Sequence, residues 1–151
     1  MYARVLVPID GSAASGRALR EALELARHLG AMLVLLHVVD AYNLLLGSDT
    51  QTGFDAARLA MLEHGKALLE QHRQVVDAAG VSCEVVLREV LSSRISSAIL
   101  EEARTRQCDL IVMGMHGRNG RTRLALGTDT EHVLRGARIP VLLVCAEAPE
   151  P

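Results

Sequence analysis

The residues with the most chemistry in them lie between Gly114 and Thr130. The run reads Gly114-Met115-His116-Gly117-Arg118-Asn119-Gly120-Arg121-Thr122-Arg123-Leu124-Ala125-Leu126-Gly127-Thr128-Asp129-Thr130. Glycine lets a backbone approach a ligand closely and adopt positive φ. Successive free amides in such a loop form an anion-binding concavity. A helix opening at Thr128 adds further amides and the positive end of its dipole. Thr128 and Thr130 contribute hydroxyls, and Arg118, Arg121 and Arg123 contribute positive charge. Two amide clusters with guanidinium groups suit a polyphosphate. The same residues also have purely structural uses. Gly127 can be the entry to a tight turn, and the arginines can form a solvated face. Thr128-Asp129-Thr130-Glu131 matches the S/T-x-x-E capping box, which stabilises a helix start with no ligand. Asp129 suits that use, because a carboxylate in the first turn complements the helix dipole, yet it repels a phosphate placed there. On the residues alone, both readings stand.

Few other residues compete for a chemical role. His116, inside the loop, can act as an acid or touch phosphate; a loop histidine held by backbone hydrogen bonds is the simpler reading. His37 falls in an apolar run and reads as a satisfied core residue. His64 and His72 share a helix face but lack a third ligand, so no metal site is expected there. The chain has no H-E-x-x-H, no G-x-S-x-G and no paired carboxylates. No general base is evident for attack on a γ-phosphate, so hydrolysis, if any, should be slow.

Composition narrows the field further. The chain has 151 residues, half of them hydrophobic and 23% charged, the balance of one globular domain. Its 16 basic residues include a single lysine, Lys66, followed by Ala67. The G-x-x-x-x-G-K-S/T phosphate loop is therefore excluded. Three aromatic residues, Tyr2, Tyr42 and Phe54, are too few for a base-stacking platform. A net charge of −2 gives no global attraction for nucleic acid or anionic lipid. Cys83, Cys108 and Cys145 form no C-x-x-C pair and read as reduced core thiols of a cytoplasmic protein. The first strand begins within a few residues of Met1, so no signal peptide is expected. No apolar run is long enough to span a bilayer.

The elements that must hold the glycine-rich segment follow from the apolar pattern. Arg4 to Ile9 is a buried strand ended by Asp10-Gly11-Ser12, with Ser12 capping a helix that Gly30 stops. Ala31 to Val39 is a second strand. Ala41 to Gly53, rich in turn residues, reads as a loop that folds Leu44-Leu45-Leu46 onto the core, with a flap as the sharper alternative. A long helix runs from about Phe54 to Ala79. Its apolar pairs Met61/Leu62, Leu68/Leu69 and Val75/Val76 suit packing on a sheet better than a coiled coil. Val81 to Glu89 is a third strand, and Ser92 or Ser93 caps a helix reaching about Gln107. Cys108 to Met113 is the fourth strand. Thr128 to Gly136 is a short helix, and Pro140 to Cys145 is the fifth strand. Residues 1–146 form one domain, and 147–151 a frayed tail. This alternation specifies an open doubly wound α/β sheet. Such sheets bind ligands beyond the carboxyl ends of the strands, where strand order reverses. If strands one and four are neighbours, Asp10-Gly11-Ser12 and the glycine-rich segment line one crevice.

Gly114-x2-Gly117-x9-Gly127-Thr128 is similar to the G-2x-G-9x-G-S/T nucleotide motif of the universal stress protein family. Val5-Leu6-Val7-Pro8-Ile9-Asp10-Gly11-Ser12, Leu36-His37-Val38-Val39-Asp40, Asp109 to Gly114 with His116-Gly117, and Pro140 to Val144 resemble that family too, so the likeness covers nearly the whole chain. It implies a five-stranded parallel sheet in the order 3-2-1-4-5 and a site for ATP, with or without Mg2+ carried by its phosphates. Carried over, Asp10 bonds the ribose, Val38 pairs with adenine through its backbone, and Pro8, Ile9 and Met113 wall the base. Gly114, Gly117, Gly127, Thr128 and Thr130 hold phosphates, with Arg118 beside them. Asp10 has a plainer use as a turn or cap residue. Asp129 departs from the family pattern, which has a small uncharged residue there. The resemblance further implies a nucleotide-responsive stress regulator rather than an efficient catalyst, and a homodimer through Val141–Cys145. The alternatives are a weak ATPase or adenylyl-group enzyme on the same fold, or a nucleotide-free, chaperone-like dimer.

Overall fold

A computed structural model describes residues 1–92, 94–115 and 127–145. The elements are β1 (Arg4–Pro8), α1 (Ala13–Leu29), β2 (Met32–Asp40), α2 (Ala41–Gly47), α3 (Gln51–Ala78), β3 (Cys83–Val90), α4 (Ile95–Thr105), β4 (Leu110–Gly114), α5 (Thr128–Gly136) and β5 (Val141–Val144). The five strands form one sheet in the order β3-β2-β1-β4-β5, and every pairing is parallel. The expected doubly wound α/β order is the observed one, with the reversal between β1 and β4.

The near-continuous apolar strands arise because both faces of the sheet are covered. Successive side chains point to opposite faces. Val5, Val7, Leu33, Leu35, Leu110 and Val112 meet α1 and α3 on one side. Leu6, Val34, Leu36, Ile111 and Met113 meet α4 and α5 on the other. Each such Val or Leu stabilises the fold by about 1.5–3 kcal/mol relative to exposure. Helix α1 presents Ala14, Ala18, Ala22 and Ala26 to the sheet. These small side chains let it lie close to β1 and β4. Leu69 and Val76 of α3 are buried and Val75 is exposed, so the helix packs on the sheet as expected.

Three expectations need correction. Ala41 to Gly53 is not a loop. Asp40 caps α2, accepting from the Asn43 backbone N–H at 3.3 Å and its Nδ2 at 2.7 Å. Thr50 caps α3 through the Gly53 N–H at 3.0 Å. Gly47 thus ends α2, and Gly53 lies in the first turn of α3, where Thr50 caps its N–H. Leu45 and Leu46 are 50% and 67% exposed, so they do not fold onto the core. Next, α4 starts one position late for a serine cap: Arg94 is its N-cap residue and makes no side-chain cap bond. Ser93 lies outside the described residues. Finally, the three thiols are free but not all buried, because Cys145 follows the edge strand β5 and is exposed. Burial pushes the Cys83 thiol up to about 11 and raises that of Cys108, so both are poor thiolates.

Candidate functional site

The β1–α1 turn is the first wall of the crevice. Pro8 ends β1, and the Ile9 N–H donates to the Leu36 carbonyl at 2.7 Å. Asp10 then closes a tight turn, its Oδ1 accepting the Ser12 N–H at 2.8 Å. Gly11 has φ 83°, which explains the glycine. Ser12 caps α1 by accepting the Ser15 N–H at 3.1 Å. The structural use of Asp10 is therefore real. It holds the carboxylate beyond the end of β1.

The opposite wall is the end of β4 and the start of α5. The Gly127 N–H donates to the Met115 carbonyl at 3.3 Å, which draws the two described ends of the glycine-rich segment together. Gly127 is the N-cap residue of α5 and makes no side-chain cap bond. Thr128 is instead the first residue of the helix, so the capping box is not formed. Glu131 pairs with Arg135 at 2.7 Å. The N–H groups of Thr128, Asp129 and Thr130 therefore start the helix without a side-chain acceptor from the cap residue. Thr130 is buried and its hydroxyl donates to the Gly114 carbonyl at 3.4 Å, which commits that proton to the end of β4.

The two described motif glycines differ in kind. A Cβ on Gly114 would lie 2.7 Å from the Ala14 carbonyl carbon, so close packing of α1 on β4 explains that residue. Among the described residues, a Cβ on Gly127 would meet nothing nearer than Thr130 Oγ1 at 3.7 Å, and its φ of −58° suits any residue. The described packing thus gives no reason for glycine at 127.

The floor comes from β1, β2 and β4. Ile9 and Met113 are almost wholly buried, in the two core clusters on opposite faces of the sheet, so they offer edges rather than broad walls. Val38 is half-buried and lies past the last β1–β2 pair, Pro8↔Leu36. Alternation along the strand turns its peptide groups to the same side as Leu36, beyond the end of β1. His37 is buried and its Nδ1 lies 2.6 Å from the Ile9 carbonyl, the satisfied core role expected of it. It pins the turn that carries Asp10.

A charged cluster that the sequence did not reveal borders the same rim. Arg94 Nη1 donates to His132 Nε2 at 2.8 Å. His132 Nδ1 is buried and has no hydrogen-bond partner among the described residues. Asp129 is exposed, and partial burial of its carboxyl raises its pKa. His132 opposes that rise, Asp40 adds to it, and the Ser96 backbone N–H and Arg94 oppose it. Asp40 was legible as a polar strand end; Arg94 carries no local signal, because its partner is 38 residues away.

The structure thus brings Pro8, Ile9, Asp10, Val38, Met113, Gly114, Gly127, Thr128 and Thr130 to the carboxyl end of the sheet. Gly117 and Arg118, with His116, Arg121 and Arg123, lie outside the described residues, as does the tail 147–151. The family model for universal stress proteins matches residues 1–144. The chain belongs to the universal stress protein family. A relative from Thermus aquaticus, described as a universal stress protein, is 32% identical over 144 residues, covering 95% of this chain and 99% of its own. A family member from Burkholderia pseudomallei has a solved structure with TM-score 0.78 and 32% identity, covering 95% and 96% of the two chains. A universal stress protein solved in complex with cAMP has TM-score 0.66 and 25% identity, covering 97% and 98%. No described helix is long and apolar enough to cross a membrane.

Proposed function

We propose that this universal stress protein binds an adenine nucleotide in the crevice between β1 and β4. The observation that carries the reading is the start of α5. Among the described residues, its first amides have no side-chain cap from Gly127, and nothing fills the space beside that glycine. A phosphate there gains those amides and the helix dipole. The cAMP held by the related structure supports the ligand class. In this reading Asp10 bonds the ribose and Val38 the adenine edge. Pro8, Ile9 and Met113 border the base. The amides at the start of α5, from Thr128 and Thr130, hold phosphate, with Gly114, Gly117, Gly127 and Arg118 beside them. ATP, with or without Mg2+ on its phosphates, is within the class.

The proposed role is a nucleotide-responsive regulator in the cytoplasm, with occupancy read out by partner proteins. Turnover is expected to be slow. The one lysine pairs with Glu63 at 3.5 Å on the exposed side of α3 and is not placed to assist phosphoryl transfer. A homodimer through Val141–Cys145 belongs to the same proposal. β5 is an edge strand, and Leu142 on it is 41% exposed, the kind of edge that seeks a partner.

Calorimetry with ATP, ADP and AMP, each with and without Mg2+, tests the reading. At least one should bind below millimolar concentration. Silence from all three would overturn it. Sedimentation at micromolar concentration tests the dimer separately.

A further inference from the structure

Among the described residues, four polar side chains are buried: Ser15, His37, Ser96 and Thr130. Two of them converge on one peptide group, the one that joins Ile9 to Asp10. His37 Nδ1 lies 2.6 Å from its carbonyl oxygen, and its N–H, on Asp10, donates to Ser15 Oγ at 3.4 Å. A carbonyl only accepts, so His37 Nδ1 carries the proton. The two side chains come from β2 and α1, so this planar group is held from outside the turn that it opens. The β1–β2 pairing ends at Pro8↔Leu36. Beyond it, β2 still serves Ile9 twice: the Leu36 carbonyl takes its N–H at 2.7 Å, and the His37 side chain serves its carbonyl.

The ring itself is held by α3. A Cβ on Gly65 would lie 2.7 Å from His37 Cδ2, 3.3 Å from His37 Nε2 and 2.9 Å from Leu87 Cδ1. Glycine inside a helix is less favourable than alanine, and the imidazole occupies the room that this one leaves. A buried carbonyl needs a donor. A donor wedged between a strand and a helix does more, because it permits one orientation of the peptide. We propose that His37 is a positioning residue for the nucleotide's ribose: its bond to the Ile9 carbonyl, with the ring seated against Gly65, aims the Asp10 carboxylate. This rests on the nucleotide reading above, in which Asp10 bonds the ribose, and deepens it. Hydrogen bonds weaken steeply with angle and distance. A turn released from His37 therefore loses the ribose bond, whereas the phosphate contacts lie on α5, across the crevice.

Calorimetry of ATP and AMP against their 2′,3′-dideoxy counterparts, on the full chain, reads that bond as a ratio of affinities. Wild type should favour the ribonucleotide about tenfold. His37→Leu keeps an apolar side chain but no donor, and Gly65→Ala displaces the ring without changing its chemistry. Each should cut the preference to about twofold or less by weakening the ribonucleotide, with dideoxynucleotide affinity retained. Asparagine offers a donor at the same δ position, so His37→Asn should keep most of the preference. Urea melts check folding. If His37→Leu does not fold, Gly65→Ala, which substitutes a better helix former, decides. A preference that survives in Gly65→Ala and in folded His37→Leu overturns the inference and leaves the nucleotide reading standing. So does an equal loss for ribo- and dideoxynucleotides, which marks a purely structural role, and so does a folded His37→Asn no better than His37→Leu. Equal binding of both nucleotides by wild type overturns it through Asp10, again leaving the nucleotide reading. Failure of wild type to bind any of these nucleotides overturns that reading and this inference with it.

Discussion

The two rims of the sheet are built on opposite plans. At the amino rim the polar groups are paired with one another. Asp109 accepts the Ala3 and Arg4 backbone N–H groups at 2.8 and 3.1 Å. Arg4 donates through Nε to the Arg106 carbonyl at 2.7 Å and pairs with Glu84 at 2.9 Å. Arg106 bonds Glu84 and also Glu102, and Glu102 pairs with Arg88. β1, β3 and α4 are thus tied into one network. At the carboxyl rim Ser12 and Asp40 cap α1 and α2, but among the described residues α5 opens without a side-chain cap bond, the Arg94 side chain makes no cap bond to α4, and His132 Nδ1 is buried without a partner. Buried polar groups left unmatched cost stability. A fold that pairs the polar groups of one rim and leaves part of the other unmatched places its stability and its candidate site at opposite ends of the same strands.

The largest expected effect comes from the one carboxyl-rim residue whose role is packing. Gly114→Ala drives a Cβ to within 2.7 Å of the Ala14 backbone, which cannot step aside as a flexible side chain would. Overpacking of this kind costs up to about 3 kcal/mol, and the urea midpoint should fall accordingly. At the amino rim, Asp109→Ala strips the acceptor from two N–H groups and should cost about 1–2 kcal/mol while leaving nucleotide affinity unchanged. A change of affinity with Asp109→Ala would mean that the two rims are not independent. Gly127→Ala inverts the pattern. Its Cβ has room, so stability should hold within about 0.5 kcal/mol. Nucleotide affinity, measured by calorimetry, should fall about tenfold, because the methyl occupies the ligand's approach to the α5 amides.

The same contrast explains what the sequence made legible. Sheet order, the switch point and most strand and helix positions follow from apolar periodicity and from the family motif, which are local or repeated along the chain. The fourth strand shows this: Leu110, Ile111, Val112 and Met113 read as buried and are buried. The misread segment, Ala41 to Gly53, failed for a local reason. Asp40 looked like the end of a strand and is also a helix cap, and two glycines looked like turns although both lie within helices. The charged clusters failed for a different reason. Arg4 meets Glu84 and Arg106, and Arg94 meets His132, across long stretches of chain. No spacing rule joins them. Of the two motif glycines described, the sequence could say only that both matched; the packing around them separates one from the other.

Asp129 gives the finest comparison, because its effect on stability is set by pH. Burial of the carboxyl is the main cause of its raised pKa, with Asp40 adding and His132, Ser96 N–H and Arg94 opposing. Between the ordinary value of 3.8 and the raised one, the folded chain binds more protons than the unfolded chain. Stability from this group is therefore fully present below that window and is lost as pH rises through it. Asp129→Asn should remove this loss, flattening the fall in stability across that acidic window relative to wild type in urea melts taken at matched ionic strength. If the wild-type and Asp129→Asn stability curves stay parallel through the window, the carboxyl is not desolvated in the folded chain, and the carboxyl rim carries no more stored electrostatic cost than the amino rim does.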